Sequence, residues 1–192
     1  MSIKNIVTLF SLLFTFSCAA NLEVAKETAD ADSEKWPFAV WEECSSNLES
    51  HPCNFTLLNE KNEEVSLYDF YGKDIVLDYS AMWCGPCNMA ASDINNIKSA
   101  YPEIVFITVL IDNEYGEKPT QEDLQKWVDV YEIKEPVLSG DRDIISQDPL
   151  VGWPISSWPT FFYINDKMVL EYYHGGYSLS TISQNIQMLT SN

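Results

Sequence analysis

The chain has 192 residues, 46% of them apolar and 13% aromatic, which suits one domain with a full hydrophobic core and argues against disorder. Eleven Lys and Arg against 29 Asp and Glu give a net charge of −18, a field that repels phosphate backbones and anionic membrane surfaces, so nucleic acid is not an expected partner. Acidity of this kind reads as solubility outside the cytoplasm rather than as recognition of a basic partner.

Residues 1–17 open with a basic start, Met-Ser-Ile-Lys, and continue through an almost unbroken apolar run, Ile6 to Phe16. That pattern is a signal peptide, too short to span a bilayer. Ser17-Cys18-Ala19 resembles a bacterial lipoprotein cleavage site, which favours lipidation of Cys18. Cys18-Ala19-Ala20 also offers small residues to ordinary signal peptidase, and Thr15 and Phe16 depart from the usual leucine of a lipobox. Residues 18–35 are small, polar and without period, as in a flexible tether, and a folded domain is expected over 36–192. With Cys18 lipidated or cleaved away, Cys44, Cys53, Cys84 and Cys87 make two pairs; an oxidising compartment lets one be structural and leaves the other for chemistry.

Within the domain, Asn54–Leu58 and Glu64–Leu67 read as a hairpin around the polar turn 59–62. Ile75–Ser80 is an apolar strand closed by Trp83-Cys84-Gly85-Pro86-Cys87. A helix follows, its buried face formed by Cys87, Ala90, Ala91, Ile94 and Ile97 or Lys98. Ile104–Ile111 is a β-branched run typical of a strand buried on both sides. Thr120 caps a helix that carries Leu124, Trp127, Val128 and Tyr131 at helical spacing. Phe161–Ile164 and Met168–Glu171 read as strands around 165–167, and Ile182, Ile186 and Leu189 form the stripe of a last helix. The alternation implies an α/β fold, a mixed central sheet flanked by helices on both faces.

A C-x-x-C spacing just before a helix sets the first sulfur at the helix N-terminus, where free N–H groups and the positive dipole end stabilise a thiolate. Cys84 is therefore the expected nucleophile, with a pKa lowered from about 8.5 into the range of about 3.5 to 7.5. Cys87, one turn on and more covered, is the expected resolving thiol. Pro86 suits the first helical turn, where its missing N–H costs nothing. The spacing alone also fits a zinc knuckle or a structural disulfide. Zinc requires a second ligand pair, and Cys44 and Cys53 form no recognised ligand spacing with His51 or His174.

Ile75-Val-Leu-Asp-Tyr-Ser-Ala-Met-Trp-Cys-Gly-Pro-Cys87 resembles the active-site strand and turn of thioredoxins. Ser157-Trp-Pro-Thr-Phe-Phe-Tyr-Ile164 is similar to the cis-proline strand of that superfamily, and Gly175-Gly176 to its small-residue turn; the likeness covers roughly residues 53–190. The 72-residue step from Cys87 to Pro159 and the phrase Val65–Lys73 look like the exported, membrane-tethered TlpA/ResA-like members, which carry an N-terminal β-hairpin and an inserted strand-helix unit. The resemblance implies a thioredoxin fold in a thiol-disulfide oxidoreductase that reduces client protein disulfides through Cys84 and Cys87. Its only redox group would be the Cys84–Cys87 disulfide, with no metal and no other cofactor, and a membrane thiol donor would restore the dithiol.

By the same resemblance, Asp78 accepts the proton of Cys87, Pro159 presents client-binding backbone, and Trp83 and Trp158 contact clients. Cys44 and Cys53 form a structural disulfide, and His51 and His174 are surface or loop residues. Ser92, Asn88 and Thr108 depart from the residues most common in the superfamily at those places. A lipid-anchored monomer on the periplasmic face of a bacterial membrane is the expected setting, with a soluble periplasmic or secreted form as the alternative. The rival functions are a disulfide oxidase or isomerase using the same site, and a copper-binding metallochaperone, whose relatives place three residues between the cysteines rather than two.

Overall fold

The computed structural model describes residue 41 and residues 43–191, all within the unit Phe38–Asn192. The expected signal peptide over 1–17, the expected lipidation site Cys18 and the expected tether over 18–35 lie outside the described residues.

A short hairpin comes first, β1 (Thr56–Leu58) antiparallel to β2 (Glu64–Ser66) with Leu57 opposite Val65. Asn59 shapes its turn, since its Oδ1 accepts from the Lys61 and Glu63 N–H groups, both at 2.9 Å. A 3-10 turn, Leu67–Phe70, leads into β3 (Ile75–Ala81), in which every residue is buried. Then come α1 (Gly85–Ala100), β4 (Val105–Asp112), α2 (Gln121–Tyr131), β5 (Val137–Ser139), β6 (Thr160–Ile164), β7 (Leu170–Gly175) and α3 (Leu179–Leu189). Thr120 caps α2 in a capping box with Asp123, and Ser178 caps α3.

The main sheet has the order β5-β4-β3-β6-β7. β3, β4 and β5 are parallel, while β6 and β7 run antiparallel to their neighbours, so the sheet is mixed. This is the thioredoxin-like α/β fold, with its N-terminal hairpin and its added β5 unit.

Helices on both faces are not what the described residues adopt. The steps β3 to β4 and β4 to β5 move the same way across the sheet, and right-handed crossovers then put α1 and α2 on one face. The buried side chains of α1, α2 and α3 accordingly join one cluster with Val76, Phe106, Leu110, Val137, Phe161 and Tyr163. On the opposite face Trp153, from the segment between β5 and β6, packs 5.3 Å from Tyr79 and 4.8 Å from Phe162. β7 also starts later than the pattern predicts. Asn165 Oδ1 accepts from the N–H groups of Lys167 and Val169, both at 3.0 Å, and holds Met168 in a turn at φ 57°.

Candidate active site

Cys84 is the N-cap of α1, and its sulfur accepts the Cys87 N–H at 3.1 Å. The two cysteines are joined as a disulfide. Cys84 keeps 4% of its surface exposed and Cys87 none, so Cys84 is the less covered of the two. The helix terminus supplies the N–H groups and positive dipole that stabilise a thiolate once the bond is reduced. Asn88, one turn into α1, donates to Met82 O at 3.1 Å and to Cys84 O at 2.6 Å, and accepts from the Tyr131 hydroxyl of α2. The active-site turn is thus tied to two helices.

Asp78 lies in the middle of β3, on the sheet face that carries Val76 and the helices, with Thr108 and Phe161 as its cross-strand neighbours. It is 1% exposed. Burial pushes its carboxyl up to about 7, against the Ser80 hydroxyl, which donates to Oδ1 at 2.7 Å and favours the ionised form. A carboxyl poised near neutrality can take up and release a proton at physiological pH.

The Trp158–Pro159 bond is cis. Behind it, Gly176 donates its N–H to Pro159 O at 2.7 Å, and the Thr160 hydroxyl donates to Ser157 O at 2.6 Å. Gly175 leaves room for the Ser157 hydroxyl, since a Cβ there would stand 1.9 Å from Ser157 Oγ. Trp83 and Trp158 meet edge to face with ring centroids 6.3 Å apart, the first half-exposed. These are the side chains that immediately precede Cys84 and Pro159 in the chain.

Two residues at this site escaped the sequence reading. Asp112, at the end of β4 and 1% exposed, accepts from the Trp83 indole N–H at 3.0 Å. It also binds Arg142 through two contacts, Nε at 2.9 Å and a terminal nitrogen at 2.5 Å. The only available signals were an acid closing an otherwise apolar strand and the fact that Arg142 is the sole arginine of the chain.

The other residues singled out lie in separate settings. Cys44 and Cys53 form a second disulfide, and Ser46 beside it donates its hydroxyl to Gly152 O at 2.5 Å and to Pro149 O at 3.2 Å. His51 stacks on Trp41 at 4.0 Å, with Nδ1 2.9 Å from Met168 O. His174 is no loop residue: it sits on β7, stacks on Phe161 and Tyr163, and has its pKa lowered by burial. Among the described residues no three His, Cys, Asp or Glu side chains are grouped as metal ligands.

Residues 50–173 match the model of the AhpC/TSA family. The thiol-disulfide oxidoreductase ResA of Bacillus thuringiensis is 22% identical over 138 residues, 71% of this chain and 75% of ResA. Among solved structures, a candidate thiol:disulfide interchange protein DsbE from Chlorobium tepidum superposes with a TM-score of 0.61 at 22% identity, over 76% of this chain and 99% of that one. The pneumococcal exposed lipoprotein thioredoxin of Streptococcus pneumoniae gives a TM-score of 0.54 at 27% identity, over 71% of this chain and all of that one (100%).

Proposed function

Because this chain belongs to the AhpC/TSA family and is a thioredoxin-like thiol-disulfide oxidoreductase, we propose that it works outside the cytoplasm as a reductant of client protein disulfides. The Cys84 thiolate attacks one sulfur of a client disulfide, forming a mixed disulfide and releasing the other client sulfur as a thiolate. Cys87 then gives its proton to the Asp78 carboxylate and attacks Cys84 Sγ. The Cys84–Cys87 disulfide forms and the second client thiolate departs, so two electrons have passed to the client. A membrane thiol donor returns the pair to the dithiol. Pro159 offers its backbone edge to the client chain, and Trp83 and Trp158 contact that chain.

The observation that carries this reading is the asymmetry of the sulfurs: Cys84 slightly open at a helix terminus, Cys87 closed off one turn inside. Export and a lipid on Cys18 rest on the signal-like segment 1–17 and on the likeness to an exposed lipoprotein thioredoxin. The Gly85-Pro86 dipeptide favours reduction by analogy with thioredoxins.

Direction is tested by equilibrating the protein with glutathione buffers. A reductant should show a midpoint near the thioredoxin value of about −270 mV, and a midpoint near about −120 mV would assign it to disulfide formation instead.

A further inference from the structure

Arg142, the only arginine in the chain, is spent on a single buried carboxylate. Its partner, Asp112, is 1% exposed at the side chain whereas Arg142 keeps 62%, so an exposed guanidinium caps a charge that the fold has taken out of water. Nε meets Oδ1 and the terminal nitrogen meets Oδ2, a planar fork that fixes the carboxylate's rotation. Oδ2 is also the acceptor for the Trp83 indole N–H at 3.0 Å. The orientation of Trp83, which precedes Cys84, therefore depends on a carboxylate whose orientation depends on Arg142.

The chain is shaped to make this reach possible. Gly140, directly after β5, donates its N–H to Leu110 O at 2.8 Å, and a Cβ there would stand 2.7 Å from both Ile111 Cδ1 and Val109 Cγ1. Only a glycine lets the backbone lie that close to β4. Asp141 then caps the 3-10 turn Arg142–Ile144, which delivers the guanidinium to the end of the same strand, at Asp112. Met82 N–H donates to Asp112 O at 3.0 Å, so the backbone of the active-site turn hangs on this residue as well.

We propose that Arg142 is a positioning residue for client recognition: through Asp112 it holds the half-exposed Trp83 ring beside Trp158, as one wall against which a polypeptide bearing a disulfide docks on Cys84. The inference rests on the reading of Cys84 as the thiol that exchanges with client disulfides. Without Arg142 the Asp112 carboxylate is a buried, unpaired charge free to turn, and the indole loses its fixed acceptor. A small disulfide needs no wall to reach Cys84. A protein does.

The test uses the full chain with dithiothreitol as electron source, and insulin and hydroxyethyl disulfide as the two substrates, in Arg142→Met, Arg142→Lys, Trp83→Phe and the double variant Trp83→Phe/Arg142→Met. The indole 15N–1H resonance of Trp83 is followed in parallel. In Arg142→Met that resonance should shift and KM for insulin should rise about five- to tenfold, with kcat and the rate on hydroxyethyl disulfide within about twofold of the parent. Arg142→Lys, which keeps the charge but not the fork, should fall between and guards against a variant that simply fails to fold. The double variant should be no worse than Trp83→Phe, as for two residues acting through one another. An unmoved Trp83 resonance, an unchanged insulin KM, or an Arg142→Met effect added in full to that of Trp83→Phe would overturn the proposal. A parent protein that reduces neither substrate would overturn the oxidoreductase reading instead, while the resonance still decides whether Arg142 holds Trp83.

Discussion

Asp78 carries two consequences of one physical fact, its burial with no counter-charge beside it among the described residues. Its carboxyl is raised from 3.8 to about 7, chiefly by desolvation, so the fold favours the protonated form. The stabilisation is complete below the unfolded pKa near 4, and is lost as pH climbs through the folded value near 7, a span of about 4 kcal/mol. Asp78→Asn removes that dependence: urea unfolding should find the variant more stable than the parent at pH 8 and equal to it at pH 4, and an equal difference at both would refute the assignment. The same substitution should slow resolution of the mixed disulfide about a hundredfold and erase the inflection near pH 7. Asp78 was legible in the sequence because a charged residue among Val76, Leu77 and Tyr79 has few places to go. Arg142 and Asp112 were not, since the partners that give them a role lie 30 and 29 positions away and no local pattern encodes what a side chain meets at that distance.

The elements were read well wherever period and punctuation coincide. The apolar run Ile75–Ser80, the face of α1 and the Thr120 cap each appear in the fold near their expected bounds. The inserted strand implied by the resemblance could not be located, because Val137 and Leu138 are too short a run to signal one; pairing with β4 makes it β5. Which face each helix covers is a property of strand order, and strand order leaves no mark on the hydrophobic pattern. The meeting of β7 with the segment before β6 yields a prediction at this scale. Gly175→Ala puts a methyl group 1.9 Å from Ser157 Oγ, so that hydroxyl must turn away and Ser157 Cβ, 3.3 Å off, must give slightly. Overpacking of this kind costs about 1–3 kcal/mol. Thermal unfolding should register that loss, insulin reduction should weaken more than hydroxyethyl disulfide reduction, and unchanged melting would show that the contact relaxes freely.

For the molecule as a whole, the arrangement divides labour between two disulfides and two faces of one sheet. The helix-covered face holds Asp78 and, through α1, the Cys84–Cys87 pair. The other is packed by Trp153 and its segment, which Ser46 pins to the chain next to Cys44–Cys53. A second cross-link, Cys44–Cys53, beside the redox pair is in keeping with the proposed setting outside the cytoplasm. The central claim is that Cys84 attacks and Cys87 resolves, and capture of the intermediate tests it most directly. Incubated with oxidised client protein, the Cys87→Ala variant should accumulate a mixed disulfide that mass spectrometry places on Cys84, while Cys84→Ala should accumulate none. Clients held on Cys87 in the Cys84→Ala variant, with none on Cys84 in the other, would contradict it.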